Sequence, residues 1–229
     1  MTDSLAIDIS GVSVMLGMPV APKTGLPPKT AMSLVGTAKE LTHRGIDFDV
    51  TMKVSGLVTI CRDMVLDAFL KSGKQKLFWL DSDMVWTPDD FLRLLALSTR
   101  FDALCAAYPA KFDQPDTFFI QHGATLTAND HGLLPIRGTG LGFCVVDRSI
   151  CEQLASNSPS VKYPNGGGTV AKVFREDIID GIGRTEDFAF FHDIEAMGTQ
   201  LWLDPSISLG HIGDREWRGN ILNVFQPAA

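Results

Sequence analysis

KLFWLDSDMVW, residues 76–86, is the stretch on which the reading of the chain turns. Leu77 to Leu80 are four apolar residues in a row. A run of that length without helical period fits a strand buried on both faces of a parallel sheet. Asp81 and Asp83 follow at once. Side chains two apart on a strand project to one face, and parallel sheets bind ligands beyond the carboxyl ends of their strands. Two carboxylates there are costly to desolvate without a cation. A divalent metal holding a diphosphate is the natural occupant. The plainer alternative is that Asp83 caps a turn and Asp81 is solvated.

Outward from this stretch the pattern is regular. Thr87-Pro88-Asp89-Asp90 predicts a helix start, with Thr87 as N-cap, Pro88 at N1 and Asp90 at N3; the helix continues through Phe91, Leu94, Leu95 and Leu97. FDALCAAYP (101–109) reads as a strand. Upstream, Leu57, Ile60, Cys61, Met64, Val65 and Ala68 form one apolar stripe at helical spacing, with Ser55 as N-cap and Gly73 as C-terminal stop. Residues 46–53 alternate as a half-buried strand does, residues 30–43 look helical, and residues 12–20 read as a buried strand ending near Pro19. Four strands alternating with three helices over residues 12–108 argue for an α/β fold, a mostly parallel sheet with helices on both faces.

The second half differs. It has a Gly-rich strand (138–146), a short helix from Asp147, a loop with Gly166-Gly167-Gly168, a helix from about Glu186 to Gly198, and strands at 200–203 and 207–211. We expect a single domain, with about 12–110 as a nucleotide-binding half and about 111–215 as an acceptor-side half. The segments 23–29 and 163–169 are candidates to close over a ligand. The apolar tail, 221–225, docks on its own domain or on a neighbour.

Composition narrows the function classes. Twenty Lys and Arg against 27 Asp and Glu give a net charge of −7, which disfavours nucleic acid as a partner. No stretch approaches the ~20 apolar residues of a membrane span, and the first residues lack a basic signal-peptide region. Cys61, Cys105, Cys144 and Cys151 form no CxxC and sit in apolar surroundings, as reduced cytoplasmic thiols do.

Four further features carry chemistry. Glu186 and Asp187 open a predicted helix, where carboxylates either complement the dipole or accept a proton from an acceptor hydroxyl. His211, on a late strand, is either a structural histidine or, with Asp81 and Asp83, a metal ligand. GTGLGF (138–143) lacks the GxGxxG spacing of a dinucleotide site; its glycines allow backbone to approach a ligand, or a bulge. Arg62, on an otherwise apolar helix, either grips a phosphate bidentately or is a solvated surface residue.

With these pieces in order, the chain resembles the GT-A fold glycosyltransferases, most closely the small stand-alone members related to family 2. The resemblance rests on LFWLDSDMVW for the DxD motif, on GTGLGFCVVDRSICEQL, and on TEDFAFFHDIEAMGTQLWLDPSISLGHIG, in that order over residues 12–211. It implies a nucleotide-sugar donor, a UDP-sugar first, and a hexosyl or pentosyl transfer to an acceptor hydroxyl. Asp83 and His211 would ligate Mn²⁺, or Mg²⁺ second. Asp81 would contact the ribose or a metal-bound water and complete the ligand set. Asp187 would be the general base if the enzyme inverts the anomeric carbon and would have another role if it retains it, with Glu186 positioning the acceptor or substituting. Pro19, Arg62 and Ser82 would lie on the donor side, and Gly140, Gly142 and Phe143 on the acceptor side. The chain departs from the family in its short length and in lacking an Asn or Asp on the first strand to grip the base.

Two other readings stand beside it. The same stretch fits a haloacid-dehalogenase-type, Mg²⁺-dependent phosphatase with Asp81 as nucleophile, Asp83 as acid/base and Val85 closing the motif, although that motif normally ends the first strand of its domain. The third is a non-catalytic nucleotide-sugar-binding module.

Overall fold

The computed structural model describes residues 8–112, 117–164 and 168–225. In chain order the first half runs β1 (Ser13–Val20), α1 (Pro28–His43), β2 (Asp47–Val54), α2 (Val58–Ser72), β3 (Lys76–Leu80), β4 (Met84–Val85), α3 (Pro88–Leu97) and β5 (Ala103–Cys105). The second half begins with β6 (Ile120–Gln121), β7 (Leu134–Ile136), β8 (Gly138–Thr139), β9 (Phe143–Asp147) and α4 (Arg148–Ser156). Two hairpins follow, β10 (Ser160–Lys162) with β11 (Thr169–Ala171), and β12 (Asp177–Ile179) with β13 (Ile182–Arg184). Then come α5 (Glu186–Ala196), β14 (Leu201–Leu203), β15 (Leu209–Ile212), β16 (Glu216–Gly219) and a 3₁₀ turn, Ile221–Asn223.

Among the described residues seven strands form one sheet in the order β2-β1-β3-β9-β5-β14-β7. β2, β1, β3, β5 and β14 point one way, and β9 and β7 the other. The sheet is therefore mostly parallel, with an antiparallel strand inserted between β3 and β5. All five residues of β3 are buried, because helices cover both faces. α2, α4 and α5 pack on one side through Val65, Phe69, Cys151 and Phe190. On the other side α1 and α3 pack through Leu41, Phe91 and Leu95. β2, at the edge, keeps the half-exposed alternation of its sequence.

Thr87 and Asp90 form the expected reciprocal cap of α3, and Asp147 caps α4. Gly73 ends α2 with φ +76°, a conformation that favours glycine. The N-cap of α2, however, is Leu57, not Ser55; the Ser55 hydroxyl instead accepts from the Leu57 N–H. The helix faces the sheet through Cys61, Arg62, Val65, Leu66 and Phe69, so the expected stripe is rotated and Leu57 is exposed. The expected strand 138–146 is two strands: β8 pairs with β6, and β9 enters the main sheet. The tail folds onto its own domain, with Ile221 buried and Phe225 packed against the same cluster as α2. Gly166 and Gly167 lie outside the described residues. The four thiols are free and buried, and no described helix is long and apolar enough to cross a membrane.

Candidate active site

The carboxyl ends of β1, β2 and β3 open onto a cavity of about 470 Å³. Pro19 and Val20, the last residues of β1, form one wall, the first turn of α2 forms a second, and the turn after β3 brings Asp81, Ser82 and Asp83 to its floor. Glu186 and Asp187, at the start of α5, close the far side. Four carboxylates and one guanidinium line this space.

Arg62 holds the carboxylates together. Its side chain is 2% exposed, so it is not a solvated surface residue. Its guanidinium lies 3.1 Å from Asp81, 3.0 Å from Asp187 and 3.8 Å from Glu186. A buried arginine between carboxylates is a countercharge that keeps them in place, and removing one partner of such a pair is expensive. Asp81 Oδ1 and Asp187 Oδ1 are buried and meet Arg62 by charge without an aligned hydrogen bond. Asp187 Oδ2 accepts from the Leu141 N–H at 3.1 Å. Burial pushes Asp187 up to about 7, against the pull of Arg62 and with a further push from Asp81 and Glu186. A carboxylate at that value is suited to exchange protons near neutrality.

Asp83 has a different setting. Its carboxylate takes a 2.5 Å contact from the Lys111 ammonium and lies 3.5 Å from His211 Nε2. Burial works against its charge, but hydrogen bonds with His211 and Lys111 outweigh that and bring it down to about 2. The His211 Nδ1–H donates to the Pro109 carbonyl at 2.9 Å. That bond leaves Nε2 aimed at Asp83, which is how a ligating histidine is oriented.

The three residues expected to share a metal do not converge. Among the described residues no group of three His, Cys, Asp or Glu side chains is placed to hold one ion. The physical reason is that β3 stops at Leu80. Residues 81–83 form a turn, with the Met84 N–H on the Asp81 carbonyl, and the period-2 rule for strand side chains no longer applies. Asp81 turns to Arg62 and Asp83 to His211. The Asp83 and His211 pair, with one oxygen and one nitrogen donor, fits two protein positions on a divalent ion, the rest being left to phosphate and water.

In the GTGLGF segment Gly140 lines a cavity beside Asp187, on the expected acceptor side, while its glycines also pack closely on protein. A Cβ at Gly140 would fall 2.1 Å from Tyr108 Oη, and one at Gly142 would fall 2.8 Å from Asp81 Oδ2. Phe143 does not face an acceptor: it is fully buried on β9, edge-on to Phe78 in the core. Tyr108 itself was missed by sequence reasoning. Its hydroxyl accepts from the Gly142 N–H at 3.3 Å, and burial, together with Asp81 and Asp187, pushes its phenol well above the usual value. Lys111 was missed as well. The available signal was position: Tyr108 and Lys111 follow the apolar run 103–107, beyond the carboxyl end of β5.

Asp187 also borders a second cavity of about 410 Å³, walled largely by aromatic side chains and reaching His211. One carboxylate thus stands between a charged space and an apolar one.

Fold and site together define a class: an α/β domain with a mostly parallel, Rossmann-like sheet and a carboxylate-lined cavity at its carboxyl edge. Solved structures that share this fold include two of particular similarity. A197 from STIV has a TM-score of 0.54 at 19% identity, covering 89% of this chain and 86% of that one. UDP-glucose pyrophosphorylase complexed with UDP-glucose has a TM-score of 0.50 at 10% identity, covering 92% of this chain and 93% of that one. No known family profile and no curated protein sequence matches the chain.

Proposed function

We propose that this protein is a metal-dependent glycosyltransferase that moves a sugar from a nucleoside-diphosphate sugar to an acceptor hydroxyl. The observation that carries the reading is the position of Asp187 between the two cavities. The donor belongs in the cavity at the ends of β1–β3, built mainly by residues 12–110. The acceptor belongs in the cavity beyond Asp187, to which residues 111–215 contribute a wall. The fold shared with a UDP-glucose complex makes a UDP-sugar the first donor to test. The buried, free thiols fit a cytoplasmic enzyme.

The donor cavity is rich in carboxylates, and a diphosphate adds more negative charge. Binding therefore needs a cation, and Asp83 and His211 would hold Mn²⁺, or Mg²⁺. Such an ion supplies positive charge against the diphosphate as the glycosidic bond breaks. The first turn of α2 has no side-chain cap and borders the same cavity, so its N–H groups favour the phosphates. Asp187 accepts the proton of the incoming hydroxyl, with Arg62 holding its carboxylate in place and Glu186 beside it at the cavity wall. Proton removal by a placed base contributes about 10²–10⁴ in rate.

Nucleotidyl transfer is the main competitor on the same fold. It requires a triphosphate and a sugar phosphate to be held together. Arg62 is the only cation among the described residues lining the donor cavity, and it is already engaged by three carboxylates. That count favours glycosyl transfer. The phosphatase reading meets the fact that β3 is the third strand of the chain. The test is UDP release from a panel of UDP-sugars with and without Mn²⁺. Metal-dependent release from one sugar, lost in Asp83→Asn, supports the proposal. Release of pyrophosphate from UTP and a sugar phosphate would replace it with nucleotidyl transfer.

A further inference from the structure

The second cavity identifies the chemistry of the acceptor. Its volume, about 410 Å³, lies within the range of small-molecule sites. Four aromatic side chains wall it: Tyr108, Phe112, Phe119 and Phe188. Phe112 and Phe119 meet edge to face at 5.8 Å and are 53% and 54% exposed. Paired, half-exposed phenylalanines at the mouth of a cavity are surface that a ligand covers.

Three polar side chains of the walls already have partners. Thr139 Oγ1 donates to the Phe119 carbonyl at 2.9 Å. The Tyr108 hydroxyl accepts from Gly142, and the Lys111 ammonium sits on Asp83. A free sugar in this space would bury ring hydroxyls against phenyl faces with few partners, which is unfavourable. The carboxylate of Asp187 borders the cavity as its polar end. A ligand that fits has a flat apolar body and one hydroxyl at its tip, since aromatic rings pair well edge to face or offset.

We propose that the acceptor is an aromatic alcohol or phenol, with its ring among Phe112, Phe119 and Phe188 and its hydroxyl directed to Asp187. The word acceptor rests on the glycosyl-transfer reading; the binding of an aryl hydroxyl does not. No chemistry is added beyond that reading: the hydroxyl oxygen forms the new glycosidic bond, its proton goes to Asp187, and the nucleoside diphosphate departs with the electron pair of the broken bond.

The probe is 4-methylumbelliferone, a fluorescent phenol, titrated with the full chain in the absence of nucleotide. Hexanol and methyl α-glucoside serve as competitors. The expected result is saturable binding that neither competitor displaces at matched concentration. The double variant Phe112→Ser/Phe119→Ser should weaken it by about tenfold or more. Both residues are half exposed, so the variant should fold, which its circular dichroism and melting temperature would check. Binding unchanged in a folded double variant would overturn the proposal, as would equal displacement by hexanol or preferential binding of methyl α-glucoside. If the phenol binds as described but receives no sugar from any nucleotide sugar, the glycosyl-transfer reading fails and the aryl site stands. Transfer to a hexose with no phenol binding gives the opposite result.

Discussion

Asp81 and Asp83 stand two residues apart on one turn, yet their partners separate them. Asp81 faces a guanidinium that is 2% exposed and shared with two other carboxylates. Asp83 faces an ammonium and an imidazole at the rim, where it and Lys111 are 33% and 34% exposed. Sequence spacing put both on one face; the end of β3 at Leu80 undid that. The two aspartates of the DxD string therefore occupy different electrostatic settings. One aspartate belongs to a buried charge knot that shapes the site. The other sits at the rim, held by an ammonium and an imidazole.

The largest expected effect tests the knot. Arg62→Met leaves three carboxylates facing each other and should lower the unfolding free energy by about 3–5 kcal/mol, read by urea denaturation. Lys111→Met at the rim should cost about 1 kcal/mol or less. Equal losses would erase the distinction between the two aspartates. Asp187→Asn keeps shape but removes the base, so turnover should fall by about 10²–10⁴ while the donor still binds. In the wild type, turnover should rise with pH through about 7 as Asp187 loses its proton. A pH profile of Asp187→Asn that keeps this rise would assign the base elsewhere.

Gly140→Ala should cost about 1–3 kcal/mol, because its Cβ would meet Tyr108 Oη at 2.1 Å. Tyr108→Phe should relieve part of that loss in the double variant, as melting temperatures would show. The pH slopes of stability have opposite signs at the two aspartates. Asp187 is raised from 3.8 to about 7, so its contribution is present below 3.8 and is lost as pH rises through 7. Asp83 is lowered from 3.8 to about 2, so its contribution is present above 3.8 and is lost as pH falls through 2. Melting curves across pH for Asp187→Asn and Asp83→Asn should flatten the neutral side in the first and the acid side in the second.

Much of the fold was legible because local signals agreed with tertiary burial. The all-apolar β3, the cap Thr87–Asp90 and the stop at Gly73 each describe an element whose neighbours want the same thing. The failures arise where long-range contacts decide. Arg62 could not be told from a surface arginine, since its three partners lie 19 to 125 positions further along the chain. Phe143 sits in a glycine-rich segment but belongs to an inserted antiparallel strand, and β9 has no local mark of its direction. Tyr108, Lys111, Phe112 and Phe119 carry no motif; only the sheet order brings them beside Asp187 and His211.

The central claim is that the carboxylate-lined cavity takes a nucleoside diphosphate through a cation held at Asp83. Isothermal titration of UDP into the wild type and Asp83→Asn, each with and without Mn²⁺, tests it most directly. Binding is expected only for the wild type with Mn²⁺. Equal binding without metal, or UDP binding that Asp83→Asn leaves unchanged, would contradict it.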